Sequence, residues 1–184
     1  RCARTWTAPL AEVERLPRRP LSSGRLRIGY LSADFHTHAT AFLAAGLFEQ
    51  HDRARFEVFG YSTGPDDRSP MRARIARAFD RFTDVRGRHP YAVADAIRAD
   101  GVDILVDLKG HTLDATPIVL ARRPAPIQVH YLGYPGTVEG GLVDWLIGDP
   151  VVTPDAHLAD YGEAIAVLPE SYQINDRTRP IAAT

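Results

Sequence analysis

The sequence has little cysteine, no long apolar run and almost no net charge. The only cysteine is Cys2, which excludes an internal disulfide framework and a zinc site built from several cysteines. No stretch of 18 or more apolar residues is present, and the first twenty residues lack the apolar core of a signal peptide. The formal net charge of −1 gives no reason to expect binding to nucleic acid or a membrane surface. We therefore expect a cytoplasmic protein.

Residues 1–24 are rich in arginine and proline and have short helical character around Leu10 to Leu16, ended by Pro17 and Pro20. We expect an arm or linker over residues 1–24 and one compact domain over residues 25–184. The chain begins without methionine and stops at RPIAAT, soon after a strand-like segment. These ends predict a piece of a larger protein.

Strand-like and helix-like segments alternate after the arm. Strands are predicted for RLRIGYLS (25–32), RFEVFGYS (55–62), FTDV (82–85), VDILVDLKG (102–110), PIQVHYLG (126–133), VDWLIGDP (143–150) and EAIAVLP (163–169). Helices are predicted for TAFLAAGLFEQH (40–51), MRARIARAFDRF (71–82), PYAVADAIRADG (90–101) and part of HTLDATPIVLARRP (111–124). Because parallel strands need crossover connections, this order predicts an α/β fold with a Rossmann-like, doubly wound, mostly parallel sheet.

Ligands of open α/β sheets bind outside the carboxyl ends of the strands. Three segments reach that edge, namely ADFHTHAT (33–40), KGHT (109–112) and LGYPGT (132–137). The sequence has no G-x-G-x-x-G after the first strand and no G-x-x-x-x-G-K-[ST], so neither a dinucleotide site nor a P-loop is indicated. A G-x-S-x-G elbow is also absent, which counts against an α/β hydrolase.

The first segment concentrates groups that handle protons. Asp34, His36 and His38 alternate, so an extended loop would direct them the same way, and Thr40 is predicted to cap the next helix, whose free amides favour an anion. Neighbouring aspartate and histidine hold and transfer a proton near neutral pH. The alternative is a turn capped by Asp34 with solvated histidines. A metal site is a poorer explanation, because no further ligand cluster is evident.

The other two segments carry weaker signals. LGYPGT places two glycines and Pro135 where a strand ends, which lets a ligand approach the backbone, although a plain tight turn explains the spacing better. In KGHT, His111 is equally well explained as a solvated loop residue.

Five longer segments occur in a fixed order between residues 22 and 176: GRLRIGYLSADFHTHAT, FEVFGYS, DILVDLKGHT, RRPAPIQVHYLGYPGT and YQIND. In this order and spacing they closely resemble the first half of the catalytic region of the O-linked N-acetylglucosamine transferases. That family includes the plant SPINDLY proteins and bacterial relatives. Several long motifs in sequence make the resemblance specific.

The resemblance implies a GT-B glycosyltransferase, in which two Rossmann-like halves enclose a nucleotide sugar. This chain would be the first half, tetratricopeptide repeats would precede it, and the missing second half would hold most of the nucleotide. The implied reaction is inverting transfer of a sugar, foremost N-acetylglucosamine from UDP-GlcNAc, to Ser or Thr of an acceptor protein. Helix amides and the second half would supply positive charge, so no metal or other cofactor is expected. The fragment alone would be inactive.

The resemblance also assigns residues in the first segment. The Asp, His and Thr of the family's S-D-F-x-x-H-P-T segment fall on Asp34, His38 and Thr40, which members use at the sugar and leaving-phosphate end of the cleft. The Asp is proposed to act in a proton relay there, and a relay through water suits a weakly basic carboxylate better than direct abstraction. Ala39 stands where many members have proline, which loosens the loop, and His36 replaces a non-histidine residue.

In the family's LGYPGT segment, Leu132, Gly133 and Pro135 would line the sugar pocket through backbone and apolar contacts. His111 stands where other members lack histidine, so no essential role is assigned to it. A histidine that the animal enzymes carry before the first strand has no clear counterpart in residues 1–24.

Three alternatives remain. Relatives transfer fucose as well as N-acetylglucosamine, so a protein O-fucosyltransferase using GDP-fucose is possible on this resemblance. A stand-alone, non-catalytic binding module is a second alternative. A receiver-like phosphoacceptor using Asp34 is disfavoured, because the acidic pair and the lysine of receivers are not evident at the expected strand ends.

Overall fold

A computed structural model describes residues 2–21 and 23–179. Residues 180–184, which complete the predicted half-domain and the terminal RPIAAT, lie outside the described part. The strands are β1 (Leu26–Ser32), β2 (Phe56–Ser62), β3 (Arg81–Asp84), β4 (Ile104–Asp107), β5 (Ile127–His130), β6 (Trp145–Gly148) and β7 (Ala164–Val167). The α-helices are α1 (Cys2–Thr7), α2 (Ala39–Glu49), α3 (Pro70–Ala78), α4 (Pro90–Ala99) and α5 (Pro117–Ala121), with 3₁₀ turns at Ala8–Glu12 and Asp155–Asp160.

The seven strands form one sheet in the order β3-β2-β1-β4-β5-β6-β7, and every neighbouring pair is parallel. The chain therefore winds outward from β1 in one direction and returns to β4 to wind in the other. This order confirms the predicted Rossmann-like, doubly wound sheet. It also places the carboxyl ends of β1 and β4 side by side at the point where the winding reverses.

Helices cover both faces of the sheet because the central strands are apolar on both sides. In β1, Ile28 and Tyr30 pack into one buried cluster with α2 and α3, whereas Leu31 packs into the other with α4 and α5. This pattern is expected for buried parallel strands. Within the described ranges, no helix has the length and hydrophobicity needed to cross a lipid bilayer.

The third helix is shorter than predicted. A helix was expected to continue to residue 82, but α3 ends at Ala78, where Phe79 turns to extended backbone. Phe79 and Phe82 then pack against one another and against Phe35, with ring centroids about 6 Å apart. The extended backbone from Phe79 into β3 allows these ring contacts, so tertiary packing overrides helix propensity here.

The first 24 residues also differ from the local prediction. The helical turns cover residues 2–12, Val13 has extended backbone, and residues 14–21 form no helix, so the predicted helix does not continue to Leu16. The reason is docking, because the Leu16 amide donates to the Arg122 carbonyl at 2.7 Å and Arg19 pairs with Asp103 at 3.2 Å. The arm therefore lies against the half-domain in an extended conformation.

Candidate active site at the carboxyl ends of the strands

The site is organised around a buried ion pair between Asp34, just after β1, and Lys109, just after β4. The ammonium nitrogen of Lys109 lies 2.8 and 2.9 Å from the two carboxylate oxygens of Asp34. Asp34 is 5% exposed and Lys109 is 6% exposed. Because β1 and β4 are neighbours, residues 75 positions apart in sequence meet at the sheet's switch point, which is where open α/β sheets bind ligands.

The loop that carries Asp34 is held from several sides. Phe35 is inserted into the aromatic core, and its carbonyl accepts a 3.0 Å hydrogen bond from the buried guanidinium of Arg72. The amide of Thr37 donates to Asp67 at 2.9 Å, and hydrogen bonds from Thr37 lower the pKa of Asp67. The backbone around Asp34 is therefore fixed before any ligand arrives.

His38, not Thr40, caps helix α2, which corrects the sequence prediction. The Nδ1 atom of His38 accepts the amide of Thr40 at 3.2 Å, so that amide is not free for an anion. The Thr40 hydroxyl turns inward and donates to Asp34 at 3.3 Å, which gives the buried carboxylate a further hydrogen-bond donor. His38 thus has the capping role that was expected of Thr40, and the Thr40 hydroxyl binds Asp34.

The cap also fixes the tautomer of His38. Since Nδ1 accepts a hydrogen bond, the proton of the neutral ring resides on Nε2. The Nδ1 atom is 3.6 Å from Asp34, too far for a hydrogen bond, and the side chain is 41% exposed. His38 therefore presents an N–H donor outward. The ring of His36 lies beside that of His38, with 5.6 Å between centroids.

The LGYPGT segment reaches the same place through its backbone. Leu132 and Gly133 both have positive φ, +59° and +31°. A side chain at Gly133 would collide with the Leu108 carbonyl and lie 3.2 Å from the Lys109 Cα atom. The loop thus packs against the backbone of Leu108 and Lys109. Because Lys109 binds Asp34, this packing links the loop to Asp34. The Leu132 side chain is buried in the core, while Gly133 and Pro135 are exposed.

A second buried pair supports this loop from below. His130, at the end of β5, places Nδ1 3.1 Å from Asp107 and Nε2 2.6 Å from the Tyr134 carbonyl. Asp107 also accepts the Gly110 amide at 2.7 Å. Both ring nitrogens of His130 face oxygen atoms, an arrangement that favours the protonated imidazole. Burial works to lower the pKa of His130, but the Asp107 contact and the Tyr134 carbonyl raise it above its usual value.

The His130–Asp107 pair makes stability depend on pH. The pKa of His130 is higher in the folded than in the unfolded chain, so its stabilisation is complete below about pH 6.5 and is lost as pH rises through the folded-state value. We expect the difference in unfolding free energy between the wild type and His130→Gln to be constant below about pH 6.5 and to shrink as the pH rises above that value. Denaturant titrations at several pH values measure it. A difference that stays constant would show that the pair is not charged.

The end of the loop and His111 have structural contacts. Glu163 accepts hydrogen bonds from the Thr137 hydroxyl at 2.7 Å and from the amides of Val138 and Glu139 at 2.7 and 2.6 Å. The Nε2 atom of His111 lies 2.9 Å from the Val138 carbonyl. His111 therefore joins two loops and is not simply solvated.

No metal centre is evident in residues 2–21 and 23–179, where no three His, Cys, Asp or Glu side chains group closely enough to hold an ion. The Lys109 ammonium occupies both oxygens of Asp34, the carboxylate at the centre of the site. The expectation that the reaction needs no metal stays a prediction.

Comparison with protein families identifies the chain. The profile of Glycosyl transferase family 41 matches residues 11–182. The chain belongs to glycosyl transferase family 41. This result confirms the family resemblance found in the sequence.

Curated relatives of this family 41 chain are much longer than it is. It is 39% identical over 152 residues to "Probable UDP-N-acetylglucosamine--peptide N-acetylglucosaminyltransferase SEC" of Arabidopsis thaliana, covering 83% of this chain and 16% of the relative. The "UDP-N-acetylglucosamine--peptide N-acetylglucosaminyltransferase" of Caenorhabditis elegans is 36% identical over 160 residues, covering 84% of this chain and 14% of the relative. A SPINDLY protein of Oryza sativa is 34% identical over 150 residues, covering 80% and 16%.

A solved structure shows the same fold. A mutant of the Thermobaculum terrenum O-GlcNAc transferase superposes with a TM-score of 0.87 at 32% identity, covering 93% of this chain and 34% of that one. The family 41 chain therefore has the Rossmann-like fold of the N-terminal part of the catalytic region. It spans about a third of the length of that structure.

Sequence reasoning missed three residues at the centre of the candidate site. Lys109, Asp107 and His130 were not assigned roles, although Asp107 and His130 end buried strands and Lys109 follows β4 by two residues. A charged or polar side chain at the end of a buried strand indicates that it has a partner nearby, because buried charges need partners. Which partner each would find depended on the strand order, and the sequence does not state the order.

Proposed function

We propose that this chain is the acceptor-facing half of an inverting glycosyltransferase that moves N-acetylglucosamine from UDP-GlcNAc to Ser or Thr of proteins. The observation that carries the proposal is the buried Asp34–Lys109 pair at the switch point of the sheet, flanked by His38 and the LGYPGT loop. The names and motifs of the family 41 relatives supply the substrate class.

The reaction forms a bond from the acceptor oxygen to the anomeric carbon and breaks the bond from that carbon to the donor phosphate. The diphosphate leaves with the bonding electrons, and the acceptor hydroxyl loses its proton. Asp34 is buried and bonded to Lys109, so the proton reaches it through water and not by direct contact. An arrangement in which the carboxylate already has its donors in place needs little reorganisation during the reaction.

Lys109 holds Asp34 and adds positive charge at the strand ends. An ammonium group has three N–H donors, and the two oxygens of Asp34 account for the hydrogen bonds that the Lys109 side chain makes with described residues. The remaining donor is available for water or for a charged oxygen of the ligand. Through its outward Nε2–H, His38 donates to an oxygen of the donor sugar or of its phosphate.

Variants of His38 separate its capping role from its contact with the ligand. We expect His38→Ala in the full-length protein to lose the cap, at a cost of about 1 kcal/mol, and to lower transfer by at least about tenfold, the value of one charge-assisted hydrogen bond. His38→Asn keeps a capping side chain, so stability returns while transfer stays low. Initial rates and denaturant midpoints measure both effects.

His36→Ala is the matched control, since His36 lies in the same loop and makes no hydrogen bond with another described residue. It should retain the wild-type rate. If His38→Ala and His38→Asn also transfer at the wild-type rate, His38 does not contact the donor and its assigned role is wrong.

The donor sugar is tested with a panel of UDP- and GDP-sugars and the full-length protein. Transfer from UDP-GlcNAc supports the proposal. Transfer from GDP-fucose alone would make the protein an O-fucosyltransferase, and absence of transfer from every donor would favour a non-catalytic binding module.

Further parts of the proposal rest on the family resemblance. We propose upstream tetratricopeptide repeats, a second catalytic half, a cytoplasmic location and metal-independent transfer. The 184 residues alone should then be inactive with every donor, whereas transfer by the full-length protein should persist in the presence of a chelator.

A further inference from the structure

A basic cavity lies at the opposite end of the sheet from the candidate active site. Its volume is about 400 Å³, a size typical of sites for small molecules. The walls come from the arm, from the last turn of α4 and from the segments that precede β5 and β6. The charged lining residues are Arg15, Arg18, Arg98, Arg123 and Asp144.

The one carboxylate of the lining is already neutralised. Both oxygens of Asp144 lie 2.7 Å from the guanidinium of Arg123, and one of them also accepts the amide of Gln128 at 2.7 Å. Arg123 and Asp144 therefore form a closed pair. The charge of the cavity is set by the three arginines that remain.

Those three arginines have no counterion among the described residues. Arg15, Arg18 and Arg98 make no side-chain hydrogen bond or ion pair with any residue in the described part of the chain. Arg98 is also half-buried. Like charges around one cavity repel one another, and a partly desolvated guanidinium without a partner loses hydration. An anion in the cavity would remove both penalties.

The arm holds its arginines at this cavity. The Leu16 amide bonds to the Arg122 carbonyl, and Arg19 donates to Asp103 and to the Val102 carbonyl, so positions on both sides of Arg18 are anchored. Next to Arg15, the cavity wall is formed by Gly141, which has φ +64°. Because glycine has no side chain, the space beside Arg15 stays open. The cavity is thus formed by the docking of the arm on the rest of the chain.

We propose that this cavity binds a small diphosphate-bearing ligand, at a place separate from the candidate active site and independent of the proposed function. Guanidinium groups match phosphate oxygens in charge and in paired hydrogen-bond geometry. Three uncompensated positive charges suit a diphosphate better than a single phosphate. The apolar lining by Leu16 and Val143 leaves room for an attached organic group.

Calorimetry with inorganic pyrophosphate tests the proposal on the full-length protein, and comparison with variants of the cavity arginines separates this cavity from any donor site in the active cleft. We expect binding that weakens with salt. Arg98→Ala should weaken it at least about tenfold, as the loss of a charge-assisted hydrogen bond does. Arms with inorganic phosphate and with ADP identify whether the diphosphate alone or a nucleotide is preferred.

Arg77→Ala is the matched control, because Arg77 also lies in the last turn of a helix but lines no part of this cavity. It should bind pyrophosphate as the wild type does. If Arg98→Ala does not fold, the double variant Arg15→Ala/Arg18→Ala replaces it, because both side chains are exposed. It should also bind pyrophosphate more weakly than the wild type. No binding by the wild type, or equal binding by all variants, would overturn the proposal whatever the transfer activity is.

Discussion

Asp34→Asn will abolish transfer by the full-length protein and lower its free energy of unfolding by about 3–5 kcal/mol, the usual cost of removing one partner of a buried ion pair. The substitution keeps the size of the side chain but leaves the Lys109 ammonium buried without its counterion. It also replaces one of the two acceptor oxygens with an NH₂ group. Denaturant unfolding and single-turnover assays measure the two effects separately.

The double variant Asp34→Asn/Lys109→Met distinguishes stability from chemistry. Replacing both charges removes the unpaired ammonium, so we expect most of the lost stability to return. Transfer should remain absent, because the carboxylate that accepts the proton is gone. Recovery of transfer together with stability would mean that Asp34 has only a structural role.

Gly133→Ala will lower the free energy of unfolding by about 3 kcal/mol or more, and it will greatly reduce transfer. Two effects combine at this position. The backbone is in the positive-φ region, at +31°, and the added Cβ atom would enter the Leu108 carbonyl and approach the Lys109 Cα atom at 3.2 Å. Because rigid backbone forms the obstacle, the loop must move away from Lys109.

Gly87→Ala provides the matched control for Gly133→Ala. Gly87 also has positive φ, +74°, but no atom lies within 4 Å of a Cβ atom placed there. We expect a cost of about 1 kcal/mol from backbone strain alone and unchanged transfer. Equal effects of the two substitutions would show that the contact with Leu108 does not constrain the loop.

Much of the candidate site was predictable because local chemistry marks strand ends. The segments around Asp34 and Gly133 were located because each follows a mostly apolar strand and is rich in polar residues or glycine. Their convergence followed from the rule for parallel sheets. The cap of α2 was assigned to Thr40 because hydroxyls are common caps. In the structure the Thr40 hydroxyl donates to Asp34 instead, and His38 caps the helix.

The sequence by itself determined the seven strands, the parallel winding and the family, since these depend on local apolar pattern and on motifs that are continuous in the chain. Only the tertiary structure decided which charges are paired. Lys109 with Asp34, and His130 with Asp107, come from different strands or the loops that follow them. The arginines that line the basic cavity and have no partner within residues 2–21 and 23–179 come from the arm and α4. A buried charge is stabilised by whatever lies within a few ångströms of it, and strand order, not sequence distance, sets those neighbours.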